Sequence, residues 1–181
     1  LDHLEKLQPA TMVVLQDNVA NNAVYRERER LFVQLAAERK FQAVTFDLGL
    51  QPGLDHQPPH LTRRGRQRLV AFLRALPLPA AVWARIDVLA QVTLDAVEAA
   101  GLRVPDQLAV LGTGNFRESR FCRPSLSSIP APGDLIGFEA MRVLDAMMAG
   151  QSPAQRHIAI APPPVIARES TRGAQPTDAQ L

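Results

Sequence analysis

The residues best placed to do chemistry in this chain sit just past short apolar runs. Asp17 and Asn18 follow one such run, Asp47 a second, Arg85 to Asp87 a third, and Gly114, Asn115 and Phe116 a fourth. In an open parallel sheet, ligands bind outside the carboxyl ends of the strands. Carboxylate, guanidinium and amide groups gathered there would give planar, two-pronged hydrogen bonds to adjacent hydroxyls. An aromatic ring, Trp83 or Phe116, would supply an apolar wall. That is chemistry for holding a small polar molecule. Trp83 also reads as a core residue, since it lies in mid-strand.

Chemistry of other kinds has weaker support. His56 and His60 are four apart, but in a proline-rich loop and without further ligands nearby, so no metal site is expected. The GTGNF stretch ends a late strand with no convincing helix after it, so no dinucleotide cofactor is expected. No Gly-x-Ser-x-Gly elbow occurs. Ser125, Ser127, Ser128 and Cys122 have no convincing histidine partner, and no catalytic residue is assigned. The arginines from Arg63 to Arg68 read as a solvated helix face. Met141, Met147 and Met148, at helical spacing, read as core or subunit contact.

The elements that must position these groups alternate. Leu1 to Gln8 reads as a helix end, stopped by Pro9. Thr11 to Leu15 is a buried strand, and Val24 to Lys40 a long helix with Leu31, Phe32, Leu35 and Ala36 facing inward. Ala43 to Phe46 is a second strand, and Gly49 to Leu61 a loop rich in glycine and proline. Thr62 caps a helix through Leu76. Ala80 to Ala84 is a strand, and Asp87 is expected as the N-cap of the next helix. Gly101 ends that helix and Pro105 keeps it ended. Leu108 to Leu111 is the next strand, completing a βαβ unit with an expected right-handed crossover. Strands alternating with helices imply an α/β fold with a parallel, doubly wound sheet.

After Phe116 the pattern changes. Leu126 to Ile129 is a short strand. Asp134 is expected to cap a helix closed by Gly150, whose apolar face should not pack on the main sheet. His157 to Ala161 and Val165 to Ala167 suggest a final strand pair bent around Pro162, Pro163 and Pro164. The end of the chain is polar.

The 181 residues are 46% hydrophobic and 21% charged, enough for one sizeable core. A formal charge of +2 argues against a large nucleic-acid footprint in this stretch. The sole cysteine allows no internal disulfide and fits a reducing cytosol, so a cytoplasmic location is expected. No run approaches the roughly 18 apolar residues of a membrane span. The chain opens on Leu1 in what reads as mid-protein helix, so a piece of a longer protein is expected.

The wording of several segments is specific. AAGLRVPDQLAVLG from Ala99 resembles the late βαβ unit of effector-binding domains in LacI/GalR-type regulators and their periplasmic sugar-binding relatives. RPSLSSIPAPGDLIGFEAMRVLDAMMAG from Arg123 resembles the segment that crosses to the other lobe, and VIARESTRG from Val165 the closing strand. RERLFVQLAAERKFQAVTF from Arg28 is similar to the xylose-operon regulators, which carry an AraC-type DNA-binding domain after the sensor.

This resemblance implies a periplasmic-binding-protein-like fold of type I. Residues 1–116 would form the C-terminal lobe, 117–151 a crossing segment lending a strand and helix to the other lobe, 152–173 the return, and 174–181 a tail or linker. It implies a sugar sensor of a transcriptional regulator, with a monosaccharide between the lobes and DNA bound by a domain outside this chain. The partners implied are that effector, DNA and a second copy in a homodimer, with no membrane. It also implies that Arg28 reads ligand hydroxyls, against the plainer reading of a solvated charge among Arg26, Arg28 and Arg30. Asp87 matches an acidic residue beside a ligand-reading position, against its reading as a plain N-cap. Ile86 and Gly114 stand where relatives carry polar residues, which removes contacts to a sugar. Two other readings stay open: a LacI-type repressor core with an N-terminal helix-turn-helix, and a sugar-modifying enzyme on a doubly wound sheet.

Overall fold

The computed structural model describes residues 1–17, 23–51, 60–152 and 157–171. Three apolar runs form buried strands: β3 (Ala80–Ala84) is buried throughout, β1 (Thr11–Gln16) up to its last residue and β4 (Leu108–Gly114) up to its last two. A strand with no polar alternation needs cover on both faces, which is the signature of a parallel sheet. The sheet has five parallel strands in the order β2-β1-β3-β4-β5, with β2 spanning Gln42–Asp47 and β5 Ser127–Pro130. The fourth strand runs three residues beyond its expected end, because Gly112, Thr113 and Gly114 pair in register with Ser128, Ile129 and Pro130.

Alternate residues serve the two faces. Val13, Leu15, Val82, Ala84 and Val110 pack beneath α3 (Arg63–Arg74) and α4 (Asp87–Ala100), through Leu69, Leu73, Leu89, Leu94 and Val97. Met12, Val14, Ala81, Trp83, Ala109 and Leu111 pack beneath α1 (Asp2–Glu5) and α2 (Ala23–Glu38), through Leu4, Phe32 and Ala36. The sheet is therefore doubly wound, as the alternation of strands and helices implied. The Phe32 and Trp83 rings stack at 4.9 Å across the second face.

Helix ends follow local chemistry in two places. The Thr62 hydroxyl accepts the amide of Gly65 at 3.1 Å and caps α3. Gly101, at φ 74°, closes α4 in the left-handed conformation.

Several expectations need correction. Leu31 and Leu35 of α2 are exposed, and only Phe32 and Ala36 of the four reach the core. Helix α4 begins one residue earlier than expected: Ile86 is the N-cap, and Asp87 is the first helical residue. Helix α5 (Gly133–Met148) is capped by no side chain, so Asp134 does not play that part. The expected last strand pair does not form. Residues 157–165 are irregular, Ile166 makes a single antiparallel bridge to Ser128, and a short 3-10 turn (Glu169–Thr171) follows. Three successive prolines without amide donors cannot sustain a ladder there.

Helix α5 stands apart. None of its residues is buried, and Leu135, Phe138, Met141, Leu144 and Met148 are exposed. The expectation that it does not pack on the main sheet holds.

Candidate functional site

The carboxyl edge of the sheet carries three arrangements, and they differ in what they leave open. The first is centred on Asp87, which is fully buried. Its Oδ2 accepts the amide of Phe116 and the hydroxyl of Ser119, each at 2.7 Å, and its Oδ1 accepts the Ser128 hydroxyl at 2.6 Å. These three donors outweigh the single helix amide an N-cap would satisfy, so the carboxylate turns inward. Asn115, at φ 54°, donates its amide to Ser128 Oγ at 2.9 Å. Its side-chain oxygen accepts Arg168 Nη2 at 2.7 Å.

Arg168 extends this network to the last described segment. The buried guanidinium also donates to the Leu126 carbonyl at 2.6 Å. Ser127 accepts the Arg168 amide at 2.7 Å and the Thr171 hydroxyl at 2.7 Å. Ser170 accepts the Ser127 amide at 2.8 Å and donates to the Val110 carbonyl at 2.6 Å. Each polar group meets a partner, as a buried network requires. Asp87, Asn115 and Arg168 thus fasten residues 165–171 against β4 and β5.

The second arrangement holds Arg85. Its guanidinium pairs with Asp17, approaches Glu29 at 3.5 Å and lies 4.3 Å over the Tyr25 ring. The ion-paired side chains are 5 to 7% exposed, so the arginine ties β1, β3 and α2 together and does not open to solvent. Burial pushes the Glu29 carboxyl above the usual glutamate range, partly offset by Arg85. Sequence reasoning missed Glu29 and Tyr25. The signal was there: Glu29 shares a helical stripe with Phe32 and Ala36, where a solvated charge has no place.

The third arrangement is open. A cavity of about 1340 Å³ lies between the ends of β3, β4 and β5, helix α5 and the irregular stretch after it. Trp83, Thr113, Ile129, Ile136, Ile158 and Arg28 are among its walls. Arg28 is adjacent to the buried Glu29 but turned about 100° from it, so it faces the opening. Among the described residues Arg28 makes no hydrogen bond or ion pair, whereas Arg30 is held by Glu27 at 2.7 Å.

Of the seven residues expected at the site, Arg28 lines this cavity. Asp87, Gly114, Asn115 and Phe116 share the neighbouring edge, where Gly114, at φ 120°, lets the Phe116 ring fold back over it. Arg85 is enclosed one strand away. Asp47 ends the far strand, about 14 Å from β4 at three strand spacings, and accepts the Gly49 amide at 2.9 Å. Asn18 and His56 lie outside the described residues.

Nucleophilic chemistry finds no support in these groups. Burial pushes the Cys122 thiol up, away from the thiolate, and it donates to the Glu118 carbonyl. Among the described residues no group of three or more His, Cys, Asp or Glu could hold a metal ion, and no helix is long and apolar enough to cross a membrane.

Comparison with known proteins gives this edge a context. The xylose operon regulatory protein of Escherichia coli (strain K12) is 30% identical over 146 residues, which are 80% of this chain and 36% of that protein. The HTH-type transcriptional repressor CytR of the same strain is 40% identical over 73 residues, 40% of this chain and 21% of its own length. The chain thus spans little more than a third of the curated relatives it matches. The structure of the xylose-binding transcription activator xylR superposes with a TM-score of 0.79 at 27% identity, over 97% of this chain and 45% of that one. A LacI family transcriptional regulator from Arthrobacter sp. FB24, in complex with lactose, shares the fold with a TM-score of 0.72 at 20% identity, over 94% of this chain and 61% of that one. A model of the periplasmic binding protein-like domain matches residues 1–171, and the chain belongs to that family.

Proposed function

We propose that this chain is the effector-sensing part of a cytoplasmic transcriptional regulator that responds to a sugar. The observation that carries this reading is the open cavity at the carboxyl edge of the sheet, with Arg28, which has no ion-pair partner among the described residues, on its wall. The regulators among its relatives support it. The effector, a monosaccharide or a close derivative, binds between two lobes. Residues 1–116 and 152–173 belong to one lobe, and 117–151 reach into the other, while 174–181 lead away as a tail or linker. Helix α5, with no buried residue, then finds its cover in the second lobe.

The mechanism is a population shift. A ligand that touches both lobes binds the closed form better, and closure favours one arrangement of a homodimer. A separate domain binds DNA, and no reaction is catalysed. An AraC-type DNA-binding domain beyond Leu181 would match the xylose-operon regulators. A helix-turn-helix before Leu1 would match CytR-like repressors, which the 40% identity over 73 residues also favours. Isothermal titration of the full-length protein with pentoses and hexoses tests the reading, read alongside operator binding with and without sugar. Binding that alters DNA affinity supports it, and sugar binding with unchanged DNA affinity overturns it.

A further inference from the structure

We propose that a chain of hydrogen bonds running from His3 to Asp87 couples the rim of the cavity to the first helix and the last turn, so that a change at the rim is felt where the chain leaves the lobe. This deepens the effector-sensing reading and rests on it.

The donors run in one direction. Ser127 accepts the Arg168 amide and the Thr171 hydroxyl, so its own proton goes to the Arg168 carbonyl at 3.1 Å. The Thr171 proton is spent on Ser127, so the bond of 2.8 Å between Thr171 Oγ1 and His3 Nε2 is donated by the imidazole. His3 belongs to α1 and Thr171 to the closing 3-10 turn, and this one contact joins them. Arg168 is the node of the chain. Its backbone takes part in the hydroxyl series, and its guanidinium donates to Asn115 Oδ1 at 2.7 Å. Asn115 donates its amide to Ser128 Oγ at 2.9 Å, and Ser128 gives its proton to Asp87 at 2.6 Å.

The cavity touches this chain from two sides. Ile158, Ile160, Pro162 and Pro163 line the cavity, and the same stretch runs on into Arg168 and Thr171. Thr113 and Ile129 are also walls, paired in register on β4 and β5, two residues before Asn115 and one after Ser128. Ser127, Ser128, Arg168 and Thr171 are buried. A buried hydroxyl that loses its partner finds no water in exchange, so one bond of the series is costly to open alone. The series therefore moves as a unit. An effector that shifts the wall at 158–163 draws on Arg168, and Arg168 draws on Asn115 and Thr171 together.

Hydrogen exchange of the full-length protein without added sugar tests the coupling by its reach. Asn115→Gly keeps the backbone at φ 54° accessible but removes the acceptor of Arg168. It should speed exchange at the distant Thr171 amide, which bonds the Arg168 carbonyl, by at least about tenfold. His3→Phe, at the other end, should do the same at the Asn115 amide. Asn115→Asp retains an acceptor and His3→Gln a donor, so both should stay within about threefold of the parent. The amides of β1 and β2, outside the network, should keep the parent's rates. Acceleration confined to the immediate neighbours of each substitution, or shared equally by β1 and β2, overturns the coupling and leaves the sensor reading standing. The sugar and operator titrations decide that reading separately.

Discussion

The Asp87 carboxylate occupies the space that a side chain at Gly112 would need. A Cβ built on Gly112 would stand 2.2 Å from Asp87 Oδ1, inside any permitted contact. Asp87 belongs to α4 and Gly112 to β4, so the absence of one side chain lets the other reach Ser128, Ser119 and Phe116. Gly112→Ala should force the carboxylate off these donors. Leaving them unsatisfied costs about 1–3 kcal/mol. Chemical denaturation should show a lowered midpoint with an unchanged slope, and a midpoint equal to the parent's would show that Asp87 can move freely.

Arg168 closes the same network from the other side. Its guanidinium holds the Leu126 carbonyl and Asn115, and burial lowers its pKa while Arg120 adds to the shift. Arg168→Met keeps most of the volume but removes both donors. A loss of about 2 kcal/mol is expected, together with faster hydrogen exchange at Ser170, whose amide is bonded to the Ser125 carbonyl. Unchanged exchange at Ser170 would mean that the serine contacts alone fasten this segment.

The sequence made the sheet legible and left these networks hidden, for a physical reason. Strands β1, β3 and β4 are continuous apolar runs that only a parallel sheet can bury. The end of α4 is written in Gly101, and the isolation of α5 was anticipated. Asp87 shows where legibility stops. Its three partners lie 29, 32 and 41 residues away, and only the β4–β5 pairing brings them together. An acid before a helix looks like a cap unless those donors are known. Leu31 and Leu35 misled because adjacent apolar residues on a helix cannot all face one sheet.

Glu29 gives a pH dependence whose sign is fixed. Its carboxyl is raised in the folded state, chiefly by burial, so the folded protein holds that proton more tightly than the unfolded one. Stability from this group therefore falls as pH rises through the window above the ordinary glutamate value of about 4.3. Lowering pH from 7 towards 5 should stabilise the parent relative to Glu29→Gln, which has no proton to gain. Parallel stability curves for the two proteins would contradict this. Asp2, Glu27 and Glu169 are shifted downward, and their contributions are lost only in more acid solution.

Helix α5 tests the proposed lobe boundary. Phe138 is 67% exposed in the described residues. A side chain so exposed contributes within about 0.5 kcal/mol when cut back. In the full-length protein the second lobe should cover it, and Phe138→Ala should then cost about 3 kcal/mol. Thermal unfolding of the full-length pair measures the difference, and a shift near zero would remove 117–151 from the second lobe.

Arg28 carries the last prediction. Arg28→Ala should weaken effector binding by roughly 1.5–3 kcal/mol, the range for a hydrogen bond to a charged group. Fold stability should hardly move, because an exposed arginine with no ion-pair partner among the described residues stabilises little. Arg26 and Arg30 lie two residues to either side, about 200° around the helix, and so project elsewhere. Arg30 is also occupied by Glu27. Arg26→Ala and Arg30→Ala should therefore leave affinity near the parent's. Titration calorimetry on the three full-length variants separates the outcomes. Equal losses in all three would mean that the helix acts through its overall positive field, and a parent-like Arg28→Ala would remove this residue from the site.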